Sequence, residues 1–104
     1  MSDPYYNPEK FDLKIATSLH ADEDYDFHML VVWQHIKTGD VYYGEGSGCS
    51  CPSPFEDYHT LADLTLLQKH DLEQFETQTM NQSFTGRTKG DKMEFLKEVR
   101  ALFA

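Results

Sequence analysis

The sequence predicts an α+β domain, a three-stranded antiparallel meander with one face packed by two or three C-terminal helices. Up to Tyr43 the apolar residues follow strand patterns, and beyond Tyr58 they recur at helical spacing. The intervening stretch, Val41 to Tyr58, carries both cysteines, two of the four prolines and three of the six glycines, which is the composition of a connection. With 104 residues the chain is the size of one domain. Its seven Phe, six Tyr and one Trp supply a small core, since each aromatic buries roughly 150–250 Å².

Residues 1–12 are polar, with Pro4, Pro8 and the Tyr5–Tyr6 pair, and read as an extended arm. Strands fill 13–43. The first puts Leu13, Ile15 and Leu19 on one face and Lys14 and Ser18 on the other, a period-two pattern. The acidic connection Ala21 to Asp26 follows. The run Met29-Leu-Val-Val-Trp33 then reads as a central strand covered on both faces, with His28 and His35 on opposite sides of it by alternation. Lys37-Thr-Gly-Asp40 is a hairpin turn with Gly39 at positive φ, and Val41 to Tyr43 is the returning strand. Residues 44–59 are read as a Gly/Cys/Pro loop, with Gly44 to Gly48 ending the meander.

Helices occupy 60–104. Thr60 with Asp63 resembles an N-cap ahead of Leu61, Leu64 and Leu67, and a second stripe runs through Leu72, Phe75, Thr79 and Met80. The spacing leaves open one helix or two broken near His70–Asp71. Asn81 to Gly90 is a polar loop. The last helix is expected to be capped by Asp91 with Glu94 at N3, its apolar stripe formed by Phe95, Leu96, Val99, Leu102 and Phe103.

Most familiar chemistries find little support in these residues. Asp22, Asp24 and Asp26 open like a calcium loop, but the required Gly and Glu positions hold Phe27 and Trp33. Cys49 and Cys51, with His59 and His70, could in principle hold zinc, and a small zinc-stabilised module is one alternative. The single residue between the cysteines is shorter than the usual two to four. A disulfide across that residue would close a strained ring, and Glu45, Glu56 and Asp57 would raise thiol pKa values rather than activate a nucleophile. No P-loop, dinucleotide-binding, nucleophile-elbow or metalloprotease pattern occurs. The glycine cluster has no adjacent Lys-Ser or Lys-Thr and no helix start to cradle a phosphate. The expectation is a non-enzymatic protein without a cofactor.

The net charge is −9, unevenly placed: residues 1–86 carry 15 acidic and 4 basic side chains, residues 87–104 carry 3 and 5. An acidic body disfavours direct nucleic-acid binding, although Asp22, Glu23, Asp24 and Asp26 could act as phosphate surrogates in a DNA mimic that blocks a nucleic-acid-binding protein. No apolar run approaches the ~18–20 residues of a membrane helix, and the first residues lack the basic and apolar regions of a signal peptide. The expected place of action is therefore the cytoplasm, with no membrane partner. Binding remains the leading reading: Pro52 and Pro54 stiffen a segment in which Phe55 and Tyr58 offer aromatic contact area and Glu56 and Asp57 a charged rim. The same prolines and aromatics could instead lay the segment across the sheet as core. A second copy of the chain is a further candidate partner, through an uncovered face of the Met29–Trp33 sheet.

The blocks Tyr5-Tyr-Asn-Pro-Glu9, Val31-Val-Trp33, Thr38-Gly with Tyr42-Tyr43, and above all Ser47-Gly-Cys-Ser-Cys-Pro-Ser-Pro-Phe-Glu-Asp-Tyr58 resemble a family of small uncharacterised proteins encoded by actinobacteriophages. The resemblance runs over roughly residues 5–66 and excludes the last helix. It implies an accessory phage protein acting in the cytoplasm of the bacterial host, and it carries no mechanism. The expected function is binding of a bacterial or phage protein through Gly48 to Tyr58 and the neighbouring acidic residues.

Overall fold

The computed structural model describes residues 7–21, 26–49, 63–82, 84 and 87–103, with the backbone alone of 26, 27 and 47–49. The fold is α+β. Four antiparallel strands, β1 (Leu13–His20), β2 (Asp26–His35), β3 (Val41–Cys49) and β4 (Thr65–Leu67), lie in the order β1-β2-β3-β4. Two α-helices follow among the described residues, α1 (Leu72–Asn81) and α2 (Lys89–Ala101). Short 3₁₀ turns at Pro8–Phe11 and Lys69–Asp71 precede β1 and α1.

β2 is the strand the others gather on. Met29, Leu30, Val31, Val32 and Trp33 are all buried, the last three completely. Because successive side chains of a strand point to opposite faces, this unbroken run needs cover on both sides. On one side Leu30 and Val32 join Leu19, Val41, Leu67, Phe75, Phe84, Phe95, Leu96 and Val99, so both helices pack on this face. On the other, Met29, Val31 and Trp33 pack with Leu13 and Leu64, edged by Phe11 and Tyr42. The residues that a second copy was expected to cover are therefore already buried within the chain. The β2–β3 hairpin turns as its sequence suggests: Gly39 has φ +80°, the left-handed region in which a missing Cβ avoids a clash. The His35 ring nitrogen Nδ1 accepts from the backbone N–H groups of Lys37 and Thr38.

The structure corrects several sequence expectations, each for a local reason. Leu13, Ile15 and Leu19 do not share a face. A β-bulge between Ile15 and Thr17 inserts Ala16, so Leu13 pairs near Trp33 on one side and Leu19 opposite Leu30 on the other, leaving Ile15 40% exposed. The glycine run is not a loop. β3 continues through Gly44, Gly46 and Gly48 to Cys49, pairing with Val31, Met29, Phe27 and Asp26. Glycine weakens a strand by itself, but here the pairing with β2 overrides that preference, and Gly44 and Gly46 are buried.

The helix expected from Thr60 is also overturned in its described part. Thr65–Leu67 forms β4 against Val41–Tyr43, and Leu64 and Leu67 enter opposite core clusters rather than one helical stripe. Thr60 and Leu61 lie outside the described residues. Of the one helix or two broken near His70–Asp71, the described residues show only the second stretch as a helix: α1 starts at Leu72, after the 3₁₀ turn Lys69–Asp71. Phe75 and Thr79 are its buried residues, and the Thr79 hydroxyl donates to the Phe75 carbonyl at 2.9 Å.

Thr88, not Asp91, is the N-cap of α2. Its hydroxyl accepts from the Asp91 N–H at 3.1 Å, and the Asp91 carboxylate accepts from the Thr88 N–H at 2.9 Å, a reciprocal capping box with Asp91 at N3. The apolar stripe of this helix is as expected: Phe95, Leu96 and Val99 are buried and Leu102 and Phe103 pack beside them.

The connection between the helices is not merely a polar loop, for Phe84 is 3% exposed and belongs to the core. Its ring stacks on His28 with centroids 4.5 Å apart and planes 7° from parallel. Removing that ring takes a large buried aromatic from a packed site, so Phe84→Ala is expected to lower the unfolding free energy by about 3–5 kcal/mol. Urea unfolding checks this, and a loss under about 1 kcal/mol would mean that Phe84 is dispensable to the core.

Candidate functional site

Antiparallel pairing fixes where each connection leaves the sheet. β1 ends at His20, β2 begins at Asp26 and β3 ends at Cys49, and the register Asp26↔Cys49 and His20↔Met29 puts all three at one end. The acidic connection and the cysteine–proline segment are thus rooted on adjacent backbones. The link between α1 and α2 comes to the same end, because Phe84 stacks on His28 and the Arg87 guanidinium Nε donates to the His20 carbonyl at 2.8 Å. Loops gathered at one end of a rigid scaffold are a common location for binding residues.

The described part of this end is polar and tied together across elements. His28 and Glu45 come from β2 and β3 on the helix-covered face, with His28 Nε2 3.5 Å from a Glu45 carboxylate oxygen. The other Glu45 oxygen accepts from the Gln82 side-chain amide at 2.7 Å. Lys92 reaches back from α2, donates to the carbonyls of Met80 and Gln82, and sits 5.9 Å from the Phe84 ring centroid. Those carbonyls lie at the end of α1, where the last backbone acceptors lack helical partners and a cation is favourable. This assembly fixes the inter-helix link.

On the β1 side, a groove of about 420 Å³ opens between the strand and α2, with His20 and Arg87 facing Asp91, Glu94 and Glu98. A hydrogen bond from the Thr88 backbone holds the Asp91 carboxyl below its usual range against the opposing effect of desolvation, helped by the Thr88 side chain and the charge of Arg87. Burial, and then the positive charge of Arg87, push the His20 imidazole below its ordinary value of 6.5.

The residues expected to carry function fall in different places. Cys49 closes β3. Cys51, Pro52, Pro54, Phe55, Glu56, Asp57, Tyr58 and His59 lie outside the described residues, as do Asp22, Glu23 and Asp24. His70 is exposed in the 3₁₀ turn before α1, its Nε2 3.5 Å from an Asp71 carboxylate oxygen. That turn follows Leu67, which pairs with Val41 at the opposite end of β3 from Cys49. Eight residues of strand amount to about 26 Å, so the fold does not bring His70 to Cys49. Sequence reasoning missed His20, His28, Glu45, Gln82, Phe84 and Arg87 as members of one end. No local signal marked them, because Glu45 reaches this end only through the pairing of the glycine run with β2.

The family model described as "Domain of unknown function (DUF7574)" matches residues 2–103. The chain belongs to that family. The match spans both the strands and the last helix, so the whole α+β unit is the family's domain and not the first two-thirds alone. No curated protein and no solved structure matches the chain. Among the described residues no helix is long and apolar enough to cross a membrane.

The lowered His20 pKa gives a direction to the pH dependence of stability. The unfolded chain takes up a proton at this residue more readily than the folded one. The stability tied to neutral His20 is therefore fully present above the unfolded pKa of 6.5 and is lost as pH falls below it toward the folded value. Thermal unfolding of the wild type and His20→Gln from about pH 7 to about pH 5 is expected to show a steeper acid loss for the wild type. Parallel curves would remove His20 from that balance.

Proposed function

We propose that the protein is a non-enzymatic binding module of phage origin. It engages a bacterial or phage protein in the host cytoplasm through the sheet end that roots Gly48 to Tyr58 and the acidic residues Asp22, Glu23, Asp24 and Asp26. The observation that carries this reading is the backbone pairing of Asp26 with Cys49, since the aromatic, proline-rich segment leaves β3 where the acidic connection enters β2. A contact surface built from both would combine aromatic anchors with a charged rim, the usual division of labour at interfaces. The resemblance of the Ser47–Tyr58 block to actinobacteriophage proteins supports the origin and the place of action. The sum of 15 acidic against 4 basic side chains over residues 1–86 favours a partner with a basic surface, since complementary charge speeds and orients association.

Affinity capture from an actinobacterial lysate tests the proposal when run with three baits. The wild type and Lys37→Glu, altered at the far end of the sheet, are expected to retain one common partner. Phe55→Ser combined with Glu56→Lys is expected to weaken that partner's binding at least about tenfold, or about 1.4 kcal/mol, with an unchanged circular dichroism spectrum. Retention of the partner by the segment variant, or equal loss with Lys37→Glu, would overturn the assignment.

A further inference from the structure

The helical layer carries a second surface, independent of the sheet-end reading. A groove of about 560 Å³ runs between α1 and α2 on their outer side, with Met80, Met93 and Leu96 among its lining residues. Met93 is 56% exposed although it sits in the middle of α2. The groove's α2 wall carries Lys89, Lys97 and Arg100, whereas Asp91, Glu94 and Glu98 line the groove on the opposite flank of the same helix, toward β1. At 100° per residue these two sets fall on separate sides of the exposed surface. The basic excess of residues 87–104, 5 basic against 3 acidic side chains, is in this way concentrated beside an apolar strip. Arg100 is held across the groove by both carboxylate oxygens of Glu76, at 2.6 and 2.5 Å, so Lys89 and Lys97 are the rim cations with no ion-pair partner among the described residues.

We infer that this groove is a docking site for an acidic amphipathic helix of a protein partner, a segment with apolar side chains at i, i+3, i+4 and i+7 flanked by Asp or Glu. The wall from Lys89 to Arg100 is about 16 Å long at 1.5 Å per residue, enough for three turns of a docked helix. Methionines on a groove floor repack around varied apolar side chains at low cost, which suits helix-in-groove recognition. The charge selects among occupants. A polyanion such as nucleic acid or an anionic membrane would extend past the groove onto the acidic body and be repelled there, whereas a short acidic helix stays within the groove, whose charged lining is Lys89, Lys97 and the Arg100–Glu76 pair.

The probe is a fluorescein-labelled 14-residue peptide of that pattern with glutamate flanks, followed by fluorescence anisotropy against the full chain. A matched peptide with lysine flanks is the control. The glutamate peptide is expected to bind saturably and at least about tenfold tighter than the lysine peptide, with an affinity that falls as salt rises. Met93→Glu and Lys97→Glu, both at exposed positions, are each expected to weaken it about tenfold or more, and unchanged melting curves show that the fold is intact. If either variant melts early, the other decides. Absence of saturation up to about 1 mM, equal binding of the two peptides, or binding indifferent to both variants would overturn the inference. So would self-association in sedimentation that Met93→Glu abolishes, because the groove would then belong to a second copy.

Discussion

Met29 to Trp33 have no solvent face, and most of the architecture follows from having to cover them twice. Fully burying an aliphatic or aromatic side chain is worth about 1.5–3 kcal/mol relative to leaving it in water, so five consecutive buried residues make β2 the strand whose neighbours and layers matter most. Its two edges are taken by β1 and β3, and one of its faces by α1 and α2. Against the other face pack, among the described residues, Leu13 and Leu64, which come from opposite sides of β2 in the sequence. The bulge after Ile15 belongs to the same constraint. By shifting the alternation of β1 by one residue it lets a single strand give Leu13 to one core and Leu19 to the other.

The surfaces proposed to bind partners are parts that β2 leaves uncommitted. Because β3 pairs with β2 over its whole length, the cysteine–proline segment starts from a rigid backbone next to Asp26, not from a loose tether after Tyr43. The helices, recruited as cover for one face, keep their outer sides for charge and for Met93. α2 in particular divides its solvent-facing surface between acids toward β1 and bases toward α1.

The elements legible in the sequence were those set by a single strong local signal. The β2 run, the Gly39 turn and the Phe95-Leu96-Val99 stripe have the residue types and spacing that one element alone demands. The parts that were not legible depend on partners distant in the chain. Nothing local distinguishes Gly44–Gly48 as strand from the same glycines as loop, since the deciding hydrogen bonds come from β2. Leu64 and Leu67, three apart, read as a helical pair until β3 offers an edge that makes Thr65–Leu67 a strand. The sequence pointed to Asp91 as the cap of α2 because Asp91 with Glu94 fits the capping pattern, but the box is closed by the Thr88 side chain, which reaches the N3 amide of Asp91. As for the candidate site, the sequence offered the cysteine–proline segment as a composition anomaly after Tyr43, and residues 50–58 of it lie outside the described residues. Its surroundings were not legible, because His20, His28, Glu45 and Phe84 meet only through the sheet register and the packing of the helix link.

The claim on which the rest turns is that the glycine run is a paired strand of the sheet. Amide hydrogen exchange of the intact protein, resolved to single residues by NMR, tests it directly. The account predicts that the amides of β3 from Gly44 to Gly48 that bond to β2 are protected to nearly the same free energy as those of Leu30 to Trp33, exchanging through global unfolding. Exchange of all the Gly44–Gly48 amides at rates near those of an unstructured peptide, with β2 still protected, would contradict it and return the segment to a loop.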